Sequence, residues 1–143
     1  MSRLLIRSVA SLCIVAAAGC GGTSLDVATV KGVVKLDDKP LSGARLLFAP
    51  EAKDLPCSTA ETKPDGSFEL AISRTRSGAV PGKHRVQITT ARVTSDAQGN
   101  ETTHEEVLPL RYNAKSELVY DVKRGTNRFE IELKSDRTAT ARR

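Results

Sequence analysis

Arg128-Phe129-Glu130-Ile131-Glu132-Leu133-Lys134 alternates charged and apolar residues without a break. Successive side chains of an extended strand point to opposite faces, so Phe129, Ile131 and Leu133 share one face and the charged residues the other. A helix would scatter the same residues around its circumference. The stretch reads as a half-buried β-strand, and it sets the period to look for in the rest of the chain.

Working outward, the same period recurs in short runs. Leu118, Tyr120 and Val122 share a face in 117–122, and Val86 and Ile88 alternate with Arg85 and Gln87. Phe68, Leu70 and Ile72 form one inward face, and Ala44, Leu46 and Phe48 another. Val30, Gly32, Val34 and Leu36 supply the first strand. The runs are separated by turn chemistry: Asp37-Asp38-Lys39-Pro40, Lys63-Pro64-Asp65-Gly66 and Pro81-Gly82. Proline presets φ in such turns and glycine accepts a positive φ. Residues 90–106 are polar and weakly patterned, which predicts a long loop or an exposed hairpin. No long apolar pattern of period 3.6 is present after Asp26. Short alternating runs with turns between them, six or seven strands in about a hundred residues, predict an all-β fold built as a two-sheet sandwich.

The beginning of the chain has a different character. Arg3 and Arg7 precede an apolar run from Val9 to Ala18, too short for the roughly 20 residues that span a bilayer. Ala17-Ala18-Gly19 then gives the small residues of a cleavage site, with Cys20 directly behind them. This string resembles the lipobox of bacterial lipoproteins, aliphatic-small-small-Cys, with Ala17 where leucine is usual. The resemblance implies a signal peptide over 1–19, a diacylglycerol thioether on Cys20 and often acylation (palmitate) of the freed amine. An ordinary secretory peptide cut near Ala18 is the alternative. Gly21-Gly22-Thr23-Ser24 reads as a flexible tether, so that 20–26 links lipid to domain. Two or more acyl chains anchor a protein stably where one does not. The expected location is thus a membrane surface, on the periplasmic or cell-surface face of the envelope.

Without 1–19, the mature chain keeps 124 of the 143 residues, enough for one domain. The leader carries two arginines and no acid, so a formal charge of +5 falls to +3 in the mature part. That balance suits anionic lipid or cell-wall polymer and gives no footprint for nucleic acid. Aromatic residues are 3% with no tryptophan, leaving no stacking platform for glycans or single strands. Of the three cysteines at 13, 20 and 57, the first leaves with the leader and the second takes lipid, so Cys57 has no internal partner. Residues 135–143 are basic and lack apolar partners, as expected of a disordered tail.

The ordered motifs resemble one family. Val30-Lys-Gly-Val-Val34, Lys39-Pro-Leu-Ser-Gly-Ala44 and Leu47-Phe-Ala-Pro50 are similar to the opening of carboxypeptidase-regulatory-like domains. Thr62-Lys-Pro-Asp-Gly-Ser-Phe68, Val80-Pro-Gly-Lys-His-Arg-Val86, Leu108-Pro-Leu-Arg-Tyr-Asn113 and Gly125-Thr-Asn-Arg-Phe129 continue the pattern. His84 stands where that family usually has tyrosine, and Asp38 where a glycine often begins the turn. The resemblance implies a seven-stranded antiparallel β-sandwich of prealbumin (transthyretin-like), Ig-like type over 27–134, and with the lipobox it looks like the small lipoproteins of planctomycete bacteria.

Chemistry is sparse. His84 and His104 are the only histidines, and His104-Glu105 lacks the second nearby ligand a metal site needs. The chain end Thr140-Ala-Arg-Arg143 does not resemble the Tyr-Arg-Gly-Ser of the transthyretin-like hydrolase. No catalytic, cofactor or metal residues are assigned. Lipidation at Cys20 is the one site. The function expected is a non-enzymatic, lipid-anchored interaction or structural module, with an envelope protein or cell-wall polymer as partner and 90–106 as the contact loop. A small-molecule or glycan binder, or a hydrolase, is the alternative, to be recognised by a pocket lined with His84, His104 or clustered carboxylates.

Overall fold

The computed structural model describes residues 24–136, and Cys20, the leader and the end of the basic tail lie outside them. The described strands are β1 (Thr29–Leu36), β2 (Lys39–Pro40), β3 (Arg45–Pro50), β4 (Ser58–Glu61), β5 (Ser67–Glu69) and β6 (Ala71–Ser73). They continue as β7 (Arg76–Ser77), β8 (Gly82–Thr89), β9 (Arg92–Ser95), β10 (Glu101–His104), β11 (Val119–Val122) and β12 (Thr126–Leu133). One 3₁₀ turn, Leu110–Tyr112, breaks the series among the described residues. No helix there is long and apolar enough to cross a membrane.

The strands form a β-sandwich. One sheet runs β12-β1-β2, with β5 also paired to β1; the other runs β11-β8-β3-β4-β6-β7. All pairs are antiparallel except β1 with β12, which lie parallel over their full length from Thr29↔Thr126 to Leu36↔Leu133. That corrects the all-antiparallel expectation: the first and last strands of the domain lie side by side and run the same way. Parallel pairing requires a long crossover, and here nearly the whole domain intervenes.

Facing side chains fill the space between the sheets as the alternation predicts. Val30, Val34, Ile131, Leu133 and Phe68 from one sheet meet Leu46, Phe48, Val86, Ile88 and Val122 from the other, all buried. Phe48 is central, with ring centroids 6.4 Å from Phe68 and 6.3 Å from Phe129. On one open side, Tyr120 of β11 and Phe129 of β12 close the edge with centroids 5.0 Å apart. Offset and tilted ring pairs of this kind add about 0.5–1.5 kcal/mol beyond burial. Gly32 makes this arrangement possible. It lies between Phe129 and Phe68, and a Cβ there would collide with the Phe129 carbonyl and the Phe68 ring.

Several local expectations change. The strand expected through Phe68, Leu70 and Ile72 is two: β5 pairs with β1, then the chain passes Leu70 and β6 joins β4 in the opposite sheet. Twelve segments, several only two or three residues long, therefore stand in place of seven strands. Ser58–Glu61, which has no apolar alternation, is a strand because β3 supplies a full ladder for it. The Asp37-Asp38 turn forms with φ of 49° and 69° and no glycine, the left-handed pair that a two-residue hairpin demands. Asp37 also accepts from the Ser135 N–H at 3.2 Å, and Asp136 pairs with Arg111. The first two residues of the basic segment are therefore held against the sandwich.

Candidate functional site

The strand directions give the molecule two ends. The end where β1 begins gathers the amino-terminal segment, since the Thr29 N–H donates to the Gly125 carbonyl at 2.9 Å and Ala28 bridges Ala79. Pro50 opposite His84 brings the β3–β4 loop to that same end. The end where β1 finishes carries the β1–β2 turn and the segment 90–106, because β8 runs away from the start of β1 and delivers its last residue, Thr89, beside Arg45.

The segment 90–106 is a hairpin, β9 with β10, joined by a turn at 96–100. The turn is built by Asp96, whose carboxylate accepts from the Gln98 N–H at 2.9 Å, the Asn100 N–H at 2.8 Å and the Asn100 side chain at 2.8 Å. These bonds hold the Asp96 carboxyl below its ordinary value. Two polar contacts hold the arm at its root. Arg92 donates to the Gly43 carbonyl and lies 3.7 Å from Glu61. Gly43, at φ +67°, leaves open the space the guanidinium occupies. On the returning strand, Glu106 accepts from the Thr89 hydroxyl, the Thr90 hydroxyl at 2.7 Å and the Leu108 N–H at 3.0 Å. Burial works to raise the Glu106 carboxyl, but these donors together outweigh it and hold it at about 2.

A groove of about 580 Å³ lies on the outward side of the smaller sheet. Lys31, Val33 and Lys35 of β1 run down its middle, between Ser67 and Glu69 on one side and Arg128 and Glu130 on the other. Lys31 pairs with Glu69 at 3.5 Å, and Lys35 with Glu130, which raises the Lys35 ammonium. A second groove, about 570 Å³, lies outside the larger sheet over Leu47, Thr59 and Gln87. The sequence marks none of these residues as a site. Their convergence depends on β1 sitting between β5 and β12, which no local signal in the sequence carries.

Neither groove is lined by a histidine. His84 is fully buried and its Nε2 donates to the Val80 carbonyl at 2.7 Å, with its ring 6.0 Å from Phe48. That bond fixes the Nε2–H tautomer and leaves Nδ1 buried without a partner. The ring serves packing. His104, on β10, lies 3.2 Å from the Thr94 hydroxyl on the exposed arm. Cys57 is exposed just before β4. Among the described residues no three His, Cys, Asp or Glu side chains group as metal ligands. The structure thus keeps the candidate reactive groups on separate elements, and what it does assemble is charge paired across strands.

No family model matches the chain, and no curated protein matches it. Solved structures with similar folds include the major pilin subunit BcpA of Bacillus cereus, at TM-score 0.44 and 13% identity over 76% of this chain and 30% of that one. A DUF3823 family protein from Parabacteroides merdae gives 0.42 and 12%, over 78% and 47%. A 9R-lipoxygenase from Cyanothece gives 0.43 and 16%, over 76% and 16%. This chain spans less than half of each, and at these identities the likeness concerns the β-sandwich alone.

Proposed function

We propose that this chain is a lipid-anchored β-sandwich of the bacterial cell envelope, of carboxypeptidase-regulatory-like type, that works as an interaction or structural module and not as an enzyme. The carrying observation is Cys20 behind Ala17-Ala18-Gly19 and an apolar run, followed within a few residues by the folded domain. An anchor so close to a rigid sandwich makes position the property being built. The charge paired across strands on the outer face, Lys31 with Glu69 and Lys35 with Glu130, supports a binding surface. The arm of 92–104, fixed to the far end of the sandwich, is the contact element, with an envelope protein or a cell-wall polymer as its partner.

The test is a pull-down from detergent-extracted envelope with the native chain and its Cys20→Ser variant side by side. Recovery of one macromolecular partner, lost when 93–103 is excised, is the expected result. Recovery of a small compound that is converted with time contradicts the reading and favours the hydrolase alternative.

A further inference from the structure

We infer that the tether-side end of the sandwich is a seat for anionic phospholipid headgroups, so that the domain stands upright on the membrane with its arm facing away. This rests on the lipid anchor proposed above, and it adds an orientation and a ligand chemistry that the anchor alone does not require.

The ladders place these loops together. Lys123 and Arg124 lie in the β11–β12 turn, next to Gly125 and the start of β1. Lys83 is the second residue of β8, opposite Asp121. Arg74 is in the β6–β7 turn, and Arg76 donates to the Leu25 carbonyl of the amino-terminal segment. Lys53 lies in the β3–β4 loop, which returns to the same end through the Glu51 N–H bond to the Lys83 carbonyl at 2.9 Å. All six cations are exposed. The acids there are Asp26, Glu51, Asp54 and Asp121, so two positive charges remain in excess. Of the acids, Asp26 is taken up by Arg124 at 3.2 Å. The arm has the opposite sign: between 92 and 106, Asp96, Glu101, Glu105 and Glu106 face one Arg92.

Tether length turns this asymmetry into an orientation. From Cys20 to Ser24 the chain spans at most about 14 Å when fully extended. The attraction of a cation to an anionic surface fades over a Debye length of about 8 Å in physiological salt. The acylated cysteine therefore keeps the basic loops within reach of the headgroups. An orientation that brought the negative arm down to the surface would be repelled. Polybasic segments beside a membrane anchor bind anionic lipid by this same physics.

The test separates seat from anchor. The full mature chain with Cys20→Ser is sedimented with phosphatidylcholine vesicles and with vesicles containing 30% phosphatidylglycerol. At least about fivefold tighter binding to the anionic vesicles is expected, of the order that one cation contributes near such a surface. It should vanish in 0.5 M salt and in an Arg74→Gln/Lys123→Gln/Arg124→Gln variant. Equal binding to both vesicles overturns the inference, as does binding lost only when Arg137, Arg142 and Arg143 of the tail are neutralised. In the acylated protein on a Cys57→Ser background, a dye at Thr75→Cys should be quenched by headgroup-borne quencher while one at Gln98→Cys stays bright. Equal quenching at both sites again overturns it. An unmodified Cys20 in the native protein refutes the anchor and leaves the vesicle result standing.

Discussion

The body of the sandwich and its arm are held by different physics. Between the sheets, Phe48, Phe68, Phe129 and the aliphatic residues around them are locked by burial from two sides. The arm has no second layer. Val93 is 54% exposed, and polar contacts hold the hairpin to the body, Arg92 at Gly43 and Glu61, and Glu106 at Thr89, Thr90 and Leu108. Apolar burial is strong, non-directional and tolerant of the polar residues outside it. A polar clasp is weaker but fixes a direction. The first holds the body together, and the second sets where the arm points.

The comparison breaks most readily at the core. Phe68→Ala should cost about 3–5 kcal/mol, the price of a large buried truncation, measured by denaturant unfolding. An unchanged midpoint would mean that β5 does not face inward. Next, Gly32→Val should destabilise by about 1–3 kcal/mol through overpacking against the Phe129 carbonyl and the Phe68 ring. A Phe68→Leu background should relieve part of that loss. The arm should give much less. Replacing 93–103 by a two-residue turn is expected to leave the melting temperature within a few degrees, while removing partner recovery. A large loss of stability would show that the arm belongs to the core.

The smallest effect is the clasp. Glu106→Gln should speed amide exchange at Val107 and Leu108 with little change in global unfolding. The Glu106 carboxyl is depressed in the folded protein to about 2 from an ordinary value of 4.5. Its contribution is therefore fully present above about pH 4.5 and is lost as pH falls toward 2. The protection factors of those amides, which divide out the intrinsic pH dependence of exchange, should fall as pH drops through that window in the wild type and stay flat in the variant.

The same division explains what could be read in advance. The alternation at 128–134, 84–88 and 44–48 marked strands correctly because each has one wet and one buried face. Where burial does not alternate, the signal fails. Ser58–Glu61 has no apolar period because its place is set by β3, and Leu70 gives no sign that the chain changes sheets there. The parallel pairing of β1 with β12 was equally hidden, since it joins residues nearly a hundred positions apart. The arm was legible only as polarity. Its clasp depends on Gly43 and Thr89 being brought to one end by the sheet, and the outer groove likewise depends on strand order.

The central claim is that covalent lipid at one cysteine places this sandwich where it works. Intact-mass and peptide mass spectrometry of the native polypeptide, recovered from the membrane fraction, tests it directly. The account predicts a chain beginning at Cys20 that carries diacylglycerol on its sulfur. A water-soluble product with an unmodified amino terminus would contradict it.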